Sequence, residues 1–139
     1  MQIISFDRSQ DIPIVDAIIS GPLTYERVRL VFDSGCALTQ IDTGLIESIG
    51  YSATNAKRTM SVRGPVGEEV EGYVVGLESF KIFGYSISNL EVGVYDFDNF
   101  AHFGIDGLLG FDLIKQMHFE LNAPEGLLKI FNIKATQAT

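Results

Sequence analysis

Cysteine is nearly absent from this chain. Its 139 residues include one, Cys36, so no disulfide can form within the chain and the fold owes nothing to an oxidising compartment. A reducing, cytoplasmic setting is expected, and the paired cysteines of a structural zinc site are missing. Proline is scarce at 4 residues, and the 14 glycines follow no collagen-like period, so with 46% hydrophobic residues the chain is neither disordered nor fibrous. Positive charge is also short: 10 Lys and Arg face 18 Asp and Glu, and the formal net charge of −8 repels phosphate backbones with no basic cluster to offset it. Nucleic acid is not an expected partner. No apolar run approaches the roughly 18 residues of a membrane helix, because Gly, Asp, Glu or Lys interrupts each one. The N-terminal Met1–Phe6 stretch runs into Asp7 and Arg8 without the basic start or apolar length of a signal peptide, so it is expected to belong to the folded domain. The length fits one domain, here 1–133, with one core and a flexible tail at 134–139; a two-lobed enzyme is excluded unless two chains combine.

What the sequence does have is alternation. Ile12, Ile14, Ala17 and Ile19 set one apolar rhythm, and Val28, Leu30 and Phe32 set another, each with a period near two residues. Segments 68–80 and 85–95 continue the pattern around a turn at Phe83-Gly84, and 127–133 forms a last strand after the turn Asn122-Ala123-Pro124-Glu125-Gly126. Helical signals are brief. Asp42 can cap a short helix through Leu45, Ile46 and Ile49 that Gly50 closes, and 111–116 can form another. The class is mostly β with two short helices.

The sharpest local feature is Arg29-Leu30-Val31-Phe32-Asp33-Ser34-Gly35-Cys36-Ala37, an apolar strand that ends in an acid, a hydroxyl residue and a glycine. A carboxylate there sits on a tight turn. Ser34 can hydrogen-bond inward to fix that turn, and Gly35 lets backbone N–H groups approach the carboxylate. Asp-Ser-Gly alone is also an ordinary turn tripeptide, so its context decides. About 75 residues on, Gly104-Ile105-Asp106-Gly107-Leu108-Leu109-Gly110-Phe111-Asp112-Leu113-Ile114 places two leucines and a glycine before a short helix. Between them, 59–70 reads as two strand-like arms around Gly64-Pro65-Val66-Gly67.

In these ordered elements the chain resembles the retropepsin-like aspartic proteases of the bacterial, single-domain type, over roughly residues 10 to 133. The resemblance implies an all-β acid-protease barrel, closed or partly open, with one lobe per chain. It implies that Asp33 is the catalytic acid, that Ser34 braces the active-site turns with Gly35, and that Leu108-Leu109-Gly110 lies beneath them. It also implies a flap at the 59–70 hairpin, and substrate contacts at Cys36, Ala37, Val62, Arg63, Gly64, Pro65, Val66, Gly67, Leu108, Leu109 and Gly110. Peptide hydrolysis of this kind uses two carboxylates sharing a proton, and this chain offers one suitable Asp. The simplest source of the second is a copy of the chain across a two-fold axis, so a homodimer acting on peptide or protein substrates is expected, with no metal or organic cofactor. The competing expectation is the same fold serving as a non-proteolytic peptide-binding or dimerisation module.

Other residues have plainer readings. Asp42-Thr43-Gly44 also spells an Asp-Thr-Gly turn, but it directly precedes the helical 45–50 segment, where an acid serves as a cap. Cys36 stands where relatives mostly have Ala, Ser or Thr and is expected to be a small apolar filler; a Cys-His enzyme would need His102 or His118 beside it, and nothing places them there. The run at 96–99 lacks the glycine and terminal Glu of a calcium loop, and the glycines at 104, 107 and 110 lack the strand–loop–helix setting of a nucleotide site. Phe80, Phe83, Tyr85, Tyr95, Phe97, Phe100 and Phe103 are expected to be core, with a part lining a peptide cleft.

Overall fold

The computed structural model describes residues 1–63, 67, 69–97, 104–134 and 137–138. The chain begins with β1 (Gln2–Ser5), β2 (Ile14–Ser20), β3 (Tyr25–Phe32) and β4 (Gln40–Asp42), which runs directly into α1 (Thr43–Ser48). After a 3₁₀ turn at Ala53–Asn55 come β5 (Arg58–Arg63), β6 (Glu69–Leu77), β7 (Ser79–Ile82), β8 (Tyr85–Ile87) and β9 (Leu90–Tyr95). The remainder holds β10 (Gly107–Leu109), α2 (Phe111–Ile114), β11 (Met117–Asn122), β12 (Leu127–Ile133) and β13 (Gln137–Ala138). Among the described residues the fold is mostly β with two short α-helices, as the sequence pattern predicts.

Burial explains the strands. In β3, Val28, Leu30 and Phe32 point inward while Arg27 and Arg29 face solvent, a two-residue period that only an extended chain with one dry face satisfies. In β2 the inward set is Val15, Ala17 and Ile19, so Ile12 and Ile14 fall outside the phase the sequence suggests for them. The long segments at 68–80 and 85–95 are each broken in two, at Glu78 and at Ser88-Asn89, where Asn89 turns the chain with φ 57°. Phe83-Gly84 forms the expected tight turn between β7 and β8, with φ 52° at Phe83 and 80° at Gly84. A phenylalanine at positive φ is costly, and its ring is buried in the core, which offsets the strain.

Ten strands form one sheet in the order β13-β8-β7-β2-β3-β10-β4-β9-β6-β5, and β1-β12-β11 form a second. Residues 137–138, within the segment expected to be a tail, pair with β8. Phe80 of β7 and Val75 of β6, far apart in strand order, belong to one buried cluster, so the large sheet curls around a single core. The small sheet closes against it through Leu128 and Ile130, and Phe119 meets Phe32 edge to face with ring centroids 5.2 Å apart.

One crossing positions everything near Asp33. The chain leaves β3 and returns as β4 with a gap one strand wide, and β10 fills that gap, parallel to β3 and antiparallel to β4. Gly107 makes the insertion possible, because a Cβ there would overlap the Gln40 carbonyl oxygen. Gly107→Ala is therefore expected to cost about 3 kcal/mol or more. Gly67→Ala, at φ 86° with open space around it, is expected to cost about 1 kcal/mol. Urea denaturation of the two variants measures the difference; equal losses would mean the β10 insertion tolerates a side chain.

Candidate active site

Asp33 follows β3 directly, and its turn is held by the backbone. Its N–H continues the β3–β10 ladder to the Leu109 carbonyl at 3.0 Å, its carbonyl accepts from the Cys36 N–H at 3.2 Å, and its Oδ1 accepts from the Gly35 N–H at 3.0 Å. Gly35 thus does what the sequence suggests. Ser34 does not hydrogen-bond inward: its side chain is exposed and makes no hydrogen bond among the described residues, because the turn places it on the outer side of the loop.

The inward brace is Thr39, which sequence reasoning missed. It is fully buried, and its hydroxyl accepts from the Gly110 N–H at 3.0 Å while donating to Asp112 Oδ1 at 2.8 Å. The same carboxylate oxygen accepts from the Thr39 N–H at 3.0 Å, and the Phe111 N–H donates to the Cys36 carbonyl at 2.6 Å. These bonds tie the loop after β3 to the start of α2. Gly110 is required there, since a Cβ would lie 2.7 Å from Thr39 N and 2.8 Å from Asp112 Oδ1. A lone Thr before a β-strand and an Asp two residues after a glycine were the available signals, but they lie 73 residues apart and only the fold joins them.

An apolar cavity of about 240 Å³ opens at Asp33, lined also by Ile12, Val31, Phe97, Ile105 and Leu108. Of the residues expected at the site, Leu108 therefore meets the same cavity as Asp33, whereas Leu109 is fully buried in the core. Ile12, which precedes β2 and is 39% exposed, is one of the residues lining this cavity. Cys36 and Ala37 follow Asp33 on the loop; Val62 and Arg63 end β5, which pairs antiparallel with β6 down to Arg63 opposite Glu69. Gly67 is exposed, and residues 64–66 of the expected flap tip lie outside the described residues.

Asp42 has a structural task. Its Oδ2 accepts from the Gly44 N–H at 3.0 Å as the cap of α1, and its Oδ1 accepts from the Phe97 N–H at 2.9 Å, pinning the residue that walls the Asp33 cavity. Asp106 completes the frame by accepting from the Arg29 N–H at 2.8 Å. Among the described residues no group of three or more His, Cys, Asp or Glu side chains could hold a metal ion, and no helix is long and apolar enough to cross a membrane. His118 lies on β11 with its ring 4.7 Å from that of Phe131; His102 lies outside the described residues.

Burial pushes the Cys36 thiol above its ordinary value of 9.0, a backbone hydrogen bond from Leu38 opposes this, and the nearby Asp33 and Asp112 carboxylates push it further up. The thiol is therefore protonated at neutral pH and a poor nucleophile.

This arrangement of crossed loops, with a carboxylate on one and an apolar-apolar-Gly strand under it, is the retropepsin-like acid-protease fold. A family profile described as aspartyl protease matches residues 15–113, and the chain belongs to that family. Its structure is similar to that of a retropepsin-like aspartic protease from Rickettsia conorii, with a TM-score of 0.66 and 20% identity over 91% of this chain and 94% of that one. No curated protein matches the sequence.

Two outcomes test the site's construction. Thr39→Val keeps the shape but leaves the Gly110 N–H and one Asp112 bond without a partner, an expected loss of about 1–3 kcal/mol in chemical denaturation; a neutral result would mean the loop and α2 hold together without the hydroxyl. Because the Cys36 pKa is raised, less thiolate exists at any given pH. Iodoacetamide should accordingly modify it more slowly at pH 8 than an exposed thiol of ordinary acidity, with the rate still rising with pH where that of the ordinary thiol has levelled off. Rapid modification at pH 7 would show a thiolate and revive thiol chemistry.

Proposed function

We propose that the protein is an aspartic endopeptidase that works as a homodimer, in which Asp33 and its copy on the partner activate a water for attack on a peptide bond. The observation that carries this reading is one carboxylate per chain, held on a rigid turn by the Gly35 N–H and open to an apolar cavity. One carboxylate deprotonates the water while the other gives a proton to the carbonyl oxygen, so two are required and the chain supplies one. A two-fold axis near Asp33 meets that need, and it would also find partners for the exposed Ser34 hydroxyl and the half-exposed Phe111 ring at the start of α2.

The apolar cavity suits a bulky apolar side chain beside the scissile bond. The β5–β6 hairpin supplies a flap that covers an extended peptide and excludes water once it is bound. The pair must hold one proton to act, so the rate falls as rising pH removes it.

Asp33→Asn is expected to abolish cleavage of a mixed peptide library while leaving the melting transition and the dimer nearly intact. Asp42→Ala is expected to keep turnover and lose about 1 kcal/mol of stability through its cap. Activity retained in Asp33→Asn, or a strictly monomeric protein by sedimentation in active samples, would overturn the proposal.

A further inference from the structure

We propose that the outer face of β2, β3 and β7 carries a docking site for an acidic peptide segment, held by Arg27 and Lys81. As a segment of the substrate, this occupant rests on the proteolytic reading above. Arg27, Ile18 and Lys81 stand side by side across three strands, with Ile18 paired to Arg27 on one side and to Lys81 on the other. Two strand spacings put the cations' backbones about 10 Å apart, so both flexible side chains can converge on a carboxylate resting over Ile18. They border a shallow cavity of about 320 Å³ that Asp16 and the half-buried Tyr85 ring also line.

Charge makes the case for the occupant. Most of this chain repels anions, its net charge being −8, yet neither Arg27 nor Lys81 has an ion-pair partner among the described residues. Lys57 and Arg58, by contrast, both face Glu91, and Lys129 faces Glu120. Two exposed cations left unpaired over an apolar side chain, on a concave surface, match a segment that mixes Glu or Asp with an apolar residue. Among the described residues Asp16 is the one carboxylate lining the cavity, and it opposes such a ligand.

Position ties the surface to Asp33. Arg27, Arg29, Val31 and Asp33 fall on alternate residues, and Val31 and Asp33 line the same cavity, so one face of β3 leads from that cavity to Arg27. Six residues of strand span about 20 Å, the reach of about six extended peptide residues. A substrate could thus place its scissile bond at Asp33 and its acidic segment on Arg27 and Lys81, gaining affinity from the second contact.

The experiment measures binding separately from cleavage. The probe is a fluorescein-labelled octapeptide whose only charged side chains are those of its Glu-Leu-Glu centre, compared with its Gln-Leu-Gln twin by anisotropy at low salt. The wild type should bind the Glu peptide about fivefold more tightly than the twin, as two exposed ion pairs allow. Added salt should erase the preference. The double variant Arg27→Gln, Lys81→Gln should lose it, Asp16→Asn should strengthen it, and Lys115→Gln with Lys134→Gln should leave it unchanged. Asp33→Asn should also leave it unchanged, so a failed protease reading and a failed docking site give different results. Absence of a Glu preference in the wild type, its survival in the Arg27/Lys81 variant, or an equal loss in the Lys115/Lys134 variant overturns the proposal. So does equally tight binding of a thymidylate decamer, which would mark a general anion site, or a change in oligomeric mass in the Arg27/Lys81 variant, which would mark a contact between copies of this chain.

Discussion

The insertion of β10 between β3 and β4 is the constraint on which the rest of the structure depends. A three-residue strand bonded on both sides cannot shift without breaking two ladders, and the chain on either side of it is fixed as well: Asp106 holds the Arg29 and Asp42 backbones before it, and Gly110 enters α2 after it. Asp33 inherits its rigidity from this crossing, because its N–H is the next rung of the β3–β10 ladder. In the proposed dyad, a carboxylate that shares a proton with a second group needs that fixed position, since a displacement of about an ångström is enough to spoil the alignment of reacting atoms.

The polar contacts near Asp33 are divided in a way that follows from burial. Thr39, fully buried, directs its hydroxyl to Gly110 and to one oxygen of the half-buried Asp112, where an unmet polar group would be costly. Asp33 keeps one oxygen on the Gly35 N–H and faces an apolar cavity, while Ser34 faces solvent. The inner layer fixes geometry and the outer layer stays available, and the boundary between them runs along one loop of seven residues, 33–39.

What the sequence made legible was local. The β3 alternation, the Phe83-Gly84 turn and the Asp42 cap each depend on neighbours within a few residues, where propensity and side-chain reach decide. What it hid was long-range. Thr39 and Asp112 look unremarkable until the crossing brings them together, and Ser34 suggests itself as the brace only by lying next to Asp33. Ile12 and Ile14 could not share an inward face with Ala17 and Ile19 at a period of two, and the conflict marked a change of environment that the rhythm alone did not explain. The two long β segments hide their breaks for a related reason: β-rich runs on both sides of Glu78 and Asn89 mask an interruption that a single polar or positive-φ residue makes.

Strand β3 shows how a single alternating sequence serves two purposes. Its even positions, Val28, Leu30 and Phe32, are committed to the core and cannot vary in polarity without losing burial worth about 2 kcal/mol each. Its odd positions meet solvent or the cavity and are free to carry chemistry: Arg27 and Arg29 are charged, Val31 is apolar, and Asp33 bears the carboxylate at the end. The outward row therefore changes from cationic to apolar to acidic along one face of an interior strand, while the inward row stays uniform. In the proposed docking, a peptide lying along that face would meet each of these environments in turn, so its charge pattern, and not only the residues at the scissile bond, would govern how it settles.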